Sequence, residues 1–216
     1  MADADHRPPV QLYLVTPFVT DATAFGPLLK EVLEAGEVAC VLLNLAAPDD
    51  GAAKRLVKAM AGVVQPRGAA LIVNGFAAVV ARAGADGIHV ADGHKGLAEA
   101  LESFKPERIV GAGGIRSRHD SMAIAETGVD YVMFGEPSGD GRTPPLEAVV
   151  ERTGWWAELF EIPCVAYAPD LGSVPLLADA GADFVALGGA VWNHDRGPAE
   201  ALSLASRVLA QREARA

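Results

Sequence analysis

Cationic side chains are scarce in this 216-residue chain: 18 Lys and Arg stand against 28 Asp and Glu, a formal net charge of −10. A surface so acidic repels a phosphate backbone unless its few cations cluster, so nucleic acid is not an expected partner. Cysteine is scarcer still. Cys40 and Cys164 each lie inside an apolar run, which offers neither a disulfide framework nor a zinc site and reads as buried thiols in a reducing compartment. No apolar run reaches the roughly 18 residues of a membrane helix. The opening MADADHRPPV carries acids and prolines where a secretory leader has a basic end and an apolar stretch. These absences predict a cytoplasmic protein with no membrane partner, residues 1–9 forming a flexible N-terminal tail. Also missing are a Walker A loop, an H-E-x-x-H helix and an ordered Ser-His-Asp set.

What the chain has is apolar residues, half of the total, with 21% charged. That balance supports a full core and excludes disorder. Eight short apolar runs recur: Leu12–Thr16, Val38–Leu43, Ala69–Val73, Gly87–Val90, Arg108–Gly111, Asp130–Phe134, Pro163–Tyr167 and Asp183–Leu187. Most are continuously apolar, as strands buried on both faces of a parallel sheet must be. Helical stretches of crossover length separate them, at about 27 residues per unit. Gly84-Ala85-Asp86, Gly128-Val129-Asp130 and Gly181-Ala182-Asp183 punctuate the passage from helix to strand. The glycine suits a helix C-terminus, and the Asp falls at the start of a strand, the stability face of a barrel. Eight such units predict a single (β/α)8 TIM barrel over residues 10–216. An open doubly wound sheet would want a Gly-rich turn after the first strand, and Thr16 is followed by Pro17-Phe18-Val19-Thr20 instead.

In a barrel the chemistry stands just beyond the C-terminal strand ends. Those positions carry Thr16, Asn44, Asn74, His89 with Asp92 and His94, Gly113, Gly114 and Arg116, Gly135 and Glu136, Tyr167 and Asp170, and Gly188 and Gly189. Gly188 and Gly189 expose backbone N–H groups where barrels commonly bind phosphate, or they simply make a tight turn. Gly113 and Gly114 form a second such loop, with Arg116 either forking onto a phosphate or facing solvent. His89, Asp92 and His94 invite a metal reading in which Asp92 suits Mg²⁺; the alternative is a strand-end histidine held by a hydrogen bond. Glu136 is the candidate general acid/base, because a carboxylate at the lip of an apolar strand has its pKa raised; an ordinary exposed Glu is the alternative. Trp155, Trp156 and Phe160 make either an apolar patch for a homodimer or packing against the barrel wall.

Several of these residues carry a resemblance. Leu12-Tyr13-Leu14-Val15-Thr16 and the stretch from Asn74 to Gly87-Ile88-His89-Val90 resemble the thiamine phosphate synthase / thiazole tautomerase superfamily. Gly128-Val129-Asp130-Tyr131-Val132 leading to Phe134-Gly135 is similar as well, so the likeness spans nearly the whole barrel. It implies a (β/α)8 barrel that couples a hydroxymethylpyrimidine diphosphate to a thiazole phosphate, releasing pyrophosphate with Mg²⁺. It implies Asn74 and His89 as substrate-orienting residues and Gly188 and Gly189 as the phosphate loop. The chain departs from the family pattern in several places. Cys40-Val41-Leu42-Leu43-Asn44 replaces Gln-Leu-Arg-x-Lys, Gly75 replaces a metal-binding Asp, and Gly139-Asp140-Gly141-Arg142-Thr143 replaces a Thr-x-Thr-Lys phosphate loop. Fewer cations and carboxylates imply an activity changed or lost. The alternatives are a tautomerase-like enzyme using Glu136, or a non-catalytic barrel that binds a small phosphorylated ligand.

Overall fold

The computed structural model describes residues 8–139 and 141–214, so most of the expected tail lies outside the described residues. Eight parallel strands close on themselves: β1 (Gln11–Val19), β2 (Cys40–Leu45), β3 (Ala70–Asn74), β4 (Gly87–Val90), β5 (Ile109–Ala112), β6 (Tyr131–Phe134), β7 (Cys164–Ala168) and β8 (Phe184–Leu187). Each pairs with the next, and β8 pairs with β1 through Gln11↔Phe184 to Leu14↔Leu187. The helices are α1 (Ala22–Glu34), α2 (Asp50–Val64), α3 (Ala77–Ala83), α4 (Leu97–Phe104), α5 (Arg118–Ala125), α6 (Leu146–Leu159), α7 (Val174–Asp179), α8 (Gly189–Trp192) and α9 (Pro198–Glu213). Asp21, Asp49 and Ser117 start α1, α2 and α5 by accepting backbone N–H groups of the first turn. The expected single barrel is the fold. No helix of the described residues is long and apolar enough to cross a membrane.

Period-two alternation splits the strands into two apolar shells. Leu14, Val41, Leu43, Leu71, Val73, Val132, Ala166 and Val185 face outward into the layer shared with the helices. Tyr13, Cys40, Leu42, Ile72, Tyr131, Met133, Val165, Tyr167 and Ala186 fill the barrel interior. Both cysteines are buried thiols.

The Gly-x-Asp punctuation is structural. Asp86, Asp130 and Asp183 stand just before β4, β6 and β8, and each reaches back to the preceding strand. Asp86 accepts the N–H of Leu71 at 2.7 Å, Asp130 that of Val110 at 2.7 Å, and Asp183 that of Cys164 at 2.8 Å. Each carboxylate satisfies a strand-opening donor at the end of the barrel away from the rim.

One expectation changes. The first strand does not stop at Thr16. Pro17 interrupts the ladder, the register shifts between Val15 and Phe18, and pairing resumes at Phe18↔Asn44 and Val19↔Leu45. Within the aromatic cluster, Trp156 packs against the barrel wall, one of the two readings its sequence left open. Trp156 is buried, stacks on Phe160 at 4.1 Å, meets Phe134 edge-on at 5.5 Å and donates its indole N–H to the Ile162 carbonyl at 2.7 Å. Trp155 is half-buried beneath the Arg118 guanidinium, 5.0 Å from its ring centroid.

Candidate functional site

The C-terminal ends of β1, β2 and β3 are tied by a ladder of side chains. Asn44 donates from Nδ2 to the Thr16 carbonyl at 2.7 Å and from its backbone N to Thr16 Oγ1 at 3.0 Å. Asn74 Nδ2 donates to Asn44 Oδ1 at 2.8 Å. That bond fixes the Asn74 amide and leaves its oxygen as an oriented acceptor. After Asn74 the chain turns through two left-handed residues, Gly75 and Phe76, before α3 begins. A left-handed phenylalanine is uncommon, and it stands at the rim where strain tends to collect.

Across the barrel, β4 and β6 meet in a polar string. His89 is buried, and its Nδ1 shares a 3.0 Å hydrogen bond with the Tyr131 hydroxyl, which shares another of 2.8 Å with the Tyr13 hydroxyl. The His89 and Tyr131 rings lie near-parallel with centroids 5.7 Å apart. Burial disfavours the imidazolium and pulls the His89 pKa down to about 4, so the ring is neutral at neutral pH. Burial also pushes both tyrosine hydroxyls well above their usual range, so they stay protonated.

Glu136 enters the same place from the end of β6. Gly135, at φ +90°, makes the turn that carries the chain off the strand; only glycine adopts it without strain. One oxygen of Glu136, Oε1, accepts the N–H of Gly114 in a short hydrogen bond. A β-carbon added to Gly113 would meet Glu136 Oε1 at 2.3 Å and His89 Nε2 at 2.6 Å. Carboxylate and imidazole therefore converge on one side of Gly113, whose missing side chain leaves room for both. Burial raises the Glu136 pKa to about 6, opposed by the Gly114 N–H and by the charge of Arg152. The sequence alternative of an ordinary exposed Glu does not hold.

The remaining sequence candidates scatter around this centre. Arg116 is exposed, and its guanidinium makes no hydrogen bond or ion pair among the described residues. Arg152 on α6, which the sequence did not single out, donates to the carbonyls of Ile115 at 2.8 Å and Arg116 at 2.9 Å. It braces the loop holding Gly113 and Gly114. At the end of β8, Gly188 lies against the Tyr167 hydroxyl, to which Gly189 donates its N–H at 3.4 Å. An open cavity of about 280 Å³ borders Gly189, lined also by Asp170, Asn193, His194 and Asp195. Asp170 turns its Oδ1 to the backbone N–H and hydroxyl of Ser173.

The His89–Asp92–His94 stretch does not gather into a metal cage. His89 turns inward to Tyr131, Asp92 and His94 are exposed, and no group of three or more His, Cys, Asp or Glu is poised for a metal among the described residues. A lone carboxylate fits Mg²⁺ only as an ion arriving on substrate phosphates, its usual mode. Tyr13 and Tyr131 are functional candidates that residue-type reasoning passed over. Their signal was a hydroxyl on the inward phase of otherwise apolar strands.

A family model described as thiamine monophosphate synthase matches residues 12–191. The chain belongs to this family. A thiamine-phosphate synthase of Rhodospirillum centenum is 42% identical over 202 residues, 92% of this chain and 97% of that protein. Another, from Hyphomonas neptunium, is 34% identical over 209 residues, covering 92% and 93%. Among solved structures, a thiamine phosphate pyrophosphorylase from Pyrococcus furiosus superposes with a TM-score of 0.77 at 19% identity over 94% of this chain and 96% of its own. A 3-hexulose-6-phosphate synthase reaches 0.70 at 17% identity over 92% and 99%. At such identities the structural likeness speaks for the barrel alone.

Proposed function

We propose that this member of the thiamine monophosphate synthase family performs the family transfer in thiamine biosynthesis. A thiazole phosphate is joined to the methylene carbon of a hydroxymethylpyrimidine diphosphate, and pyrophosphate leaves. Full-length similarity to curated synthases supports the reading. The observation that carries it in this chain is the Glu136–His89 pair, brought together on one side of Gly113 beneath the rim.

In this reading the Asn44–Asn74 ladder orients a polar edge of the pyrimidine, and neutral His89 offers a hydrogen bond to the same ring. Glu136, with a pKa of about 6, stands as the general acid/base at the leaving group, where a protonated carboxyl can give a proton to a departing phosphate oxygen. A proton donor there answers the shortage of cations, because Leu42 and Asn44 stand where the family pattern carries Arg and Lys. The glycine loops Gly113-Gly114 and Gly188-Gly189 and the Arg116 side chain receive phosphate groups. Mg²⁺ arriving with the diphosphate would supply neutralising charge, and Asp92 would be the carboxylate to hold it.

A second reading rests on the same carboxylate: Glu136 shifts a proton on a thiazole phosphate, as in a tautomerase, with no metal and few cations needed. Incubation of the protein with both synthase substrates and Mg²⁺, followed by pyrophosphate release, separates the two. Turnover that falls at least a hundredfold in Glu136→Gln supports the synthase. Proton exchange on the thiazole without pyrophosphate supports the tautomerase. Binding of thiazole phosphate by calorimetry with neither reaction supports a non-catalytic barrel and overturns the proposal.

A further inference from the structure

The polar string inside the barrel has a direction, and that direction decides what His89 can do. Tyr131 has one hydroxyl proton and two partners, Tyr13 at 2.8 Å and His89 Nδ1 at 3.0 Å. Accepting from both would strand its own buried proton, so it donates to one and accepts from the other. Tyr13 lies in register with Cys40 on the neighbouring strand, with the thiol beside its hydroxyl. Two orders are open. In one, the thiol, Tyr13 and Tyr131 all donate toward the imidazole, so Nδ1 accepts and the ring proton sits on Nε2. In the other every bond is reversed: Nδ1 carries the proton, Nε2 is bare, and the string ends on sulfur, a weak acceptor.

The surroundings of Nε2 select between them. Nε2 and Glu136 Oε1 both crowd the same side of Gly113, 2.6 and 2.3 Å from where its β-carbon would stand. A bare ring nitrogen facing an ionised carboxylate sets lone pair against negative charge, whereas Nε2–H facing it is attractive, more so where water is thin. The carboxylate at one end and the hydroxyl protons at the other favour the same order.

We propose that Tyr131, backed by Tyr13 and Cys40, is a positioning residue that fixes the tautomer of His89, holding Nδ1 as acceptor and Nε2–H as donor toward the open end of the barrel. For its catalytic consequence this rests on the reading of His89 given above; the tautomer itself is a property of the ligand-free protein. Tyr131 touches no reacting atom. Its hydroxyl acts through the ring it orients, as partners of a catalytic imidazole do.

The test is ¹⁵N NMR of the full chain labelled at histidine and held at pH 7.5, with the His89 signals identified by their loss in His89→Gln. Wild type should show an unprotonated Nδ1 and a protonated Nε2. In Tyr131→Phe the Nδ1 resonance should move toward that of a tautomer mixture, and kcat should fall about tenfold with KM little changed. A protonated Nδ1 in wild type, or an unmoved Nδ1 in the variant, overturns the proposal. Tyr13→Phe, one bond further away, should give a smaller shift in the same direction, and it carries the test if Tyr131→Phe does not fold. An unmoved signal there would then be decisive against the string. The expected tautomers without turnover of either substrate set would uphold the string and count against the proposed reaction alone.

Discussion

Glu136→Gln should make the protein more stable above pH 6 while removing its chemistry. The Glu136 carboxyl titrates near 6 in the folded chain against 4.5 as its ordinary value, with burial the leading cause. A raised pKa means the folded state binds this proton more tightly than the unfolded chain does. The associated stability is therefore present below pH 4.5 and lost as pH rises through 6. A shift of this size corresponds to about 2 kcal/mol, reduced to between about 1 and 2 because the residue is partly exposed. Glutamine keeps an oxygen for the Gly114 N–H and carries no charge to desolvate. For a chain of this length the gain is worth about 3–6 °C in Tm. Thermal melts of both proteins followed by circular dichroism at pH 4.5 and pH 8 measure it. The gap should open at pH 8 and nearly close at pH 4.5. An equal gap at both values, or a less stable variant at pH 8, would refute burial as the origin of the shift.

His89 should show the opposite slope: its pKa is pulled down to about 4, so about 3 kcal/mol of stability present above pH 6.5 is lost as pH falls through 4. Urea titrations of His89→Gln should lack that acid limb, and the limb's survival would move its origin elsewhere. Gly113→Ala should displace the Glu136 carboxyl from Gly114 and cut activity more than tenfold, because the new methyl would stand 2.3 Å from Oε1 and 2.6 Å from the imidazole. Steady-state assays and ¹³C titration of Glu136 read both effects. Asp183→Ala should cost about 1–3 kcal/mol in urea unfolding by removing the carboxylate that accepts the Cys164 N–H at the far end of the barrel. Its kcat should stay within about twofold, since nothing at the rim is touched.

The barrel was legible in the sequence because parallel strands buried on both faces leave continuous apolar runs, and that signal survives without any partner in view. Asp86, Asp130 and Asp183 were legible for a related reason: a carboxylate two residues after a helix-ending glycine has a local job, and local jobs leave local spacing. The limit came at Pro17. A residue without an N–H reads as a strand end, and only the neighbouring β2, by resuming pairing at Asn44, keeps β1 going to Val19.

The site divides along the same line. Glu136 was legible as a carboxylate at an apolar lip, and its raised pKa follows from that placement. The bond of His89 was not. Its partner lies 42 residues away, and the hydroxyl behind that lies 118 residues from Tyr131, so no spacing rule connects them. Arg152 was hidden in the same way, since its task is to hold two carbonyls 36 and 37 residues back. Closure of the barrel brings these groups together and at the same time removes the water that would keep them at ordinary pKa values. The opposed shifts of Glu136 and His89 are thus one consequence of one geometry: desolvation favours the neutral form of each, the protonated acid and the unprotonated base. Between pH 4.5 and 6 their contributions to stability run in opposite directions and partly cancel. Wild type should therefore show a flatter pH profile in that window than either single variant. A wild-type profile as steep as the steeper variant would mean that the two groups do not share one dry pocket.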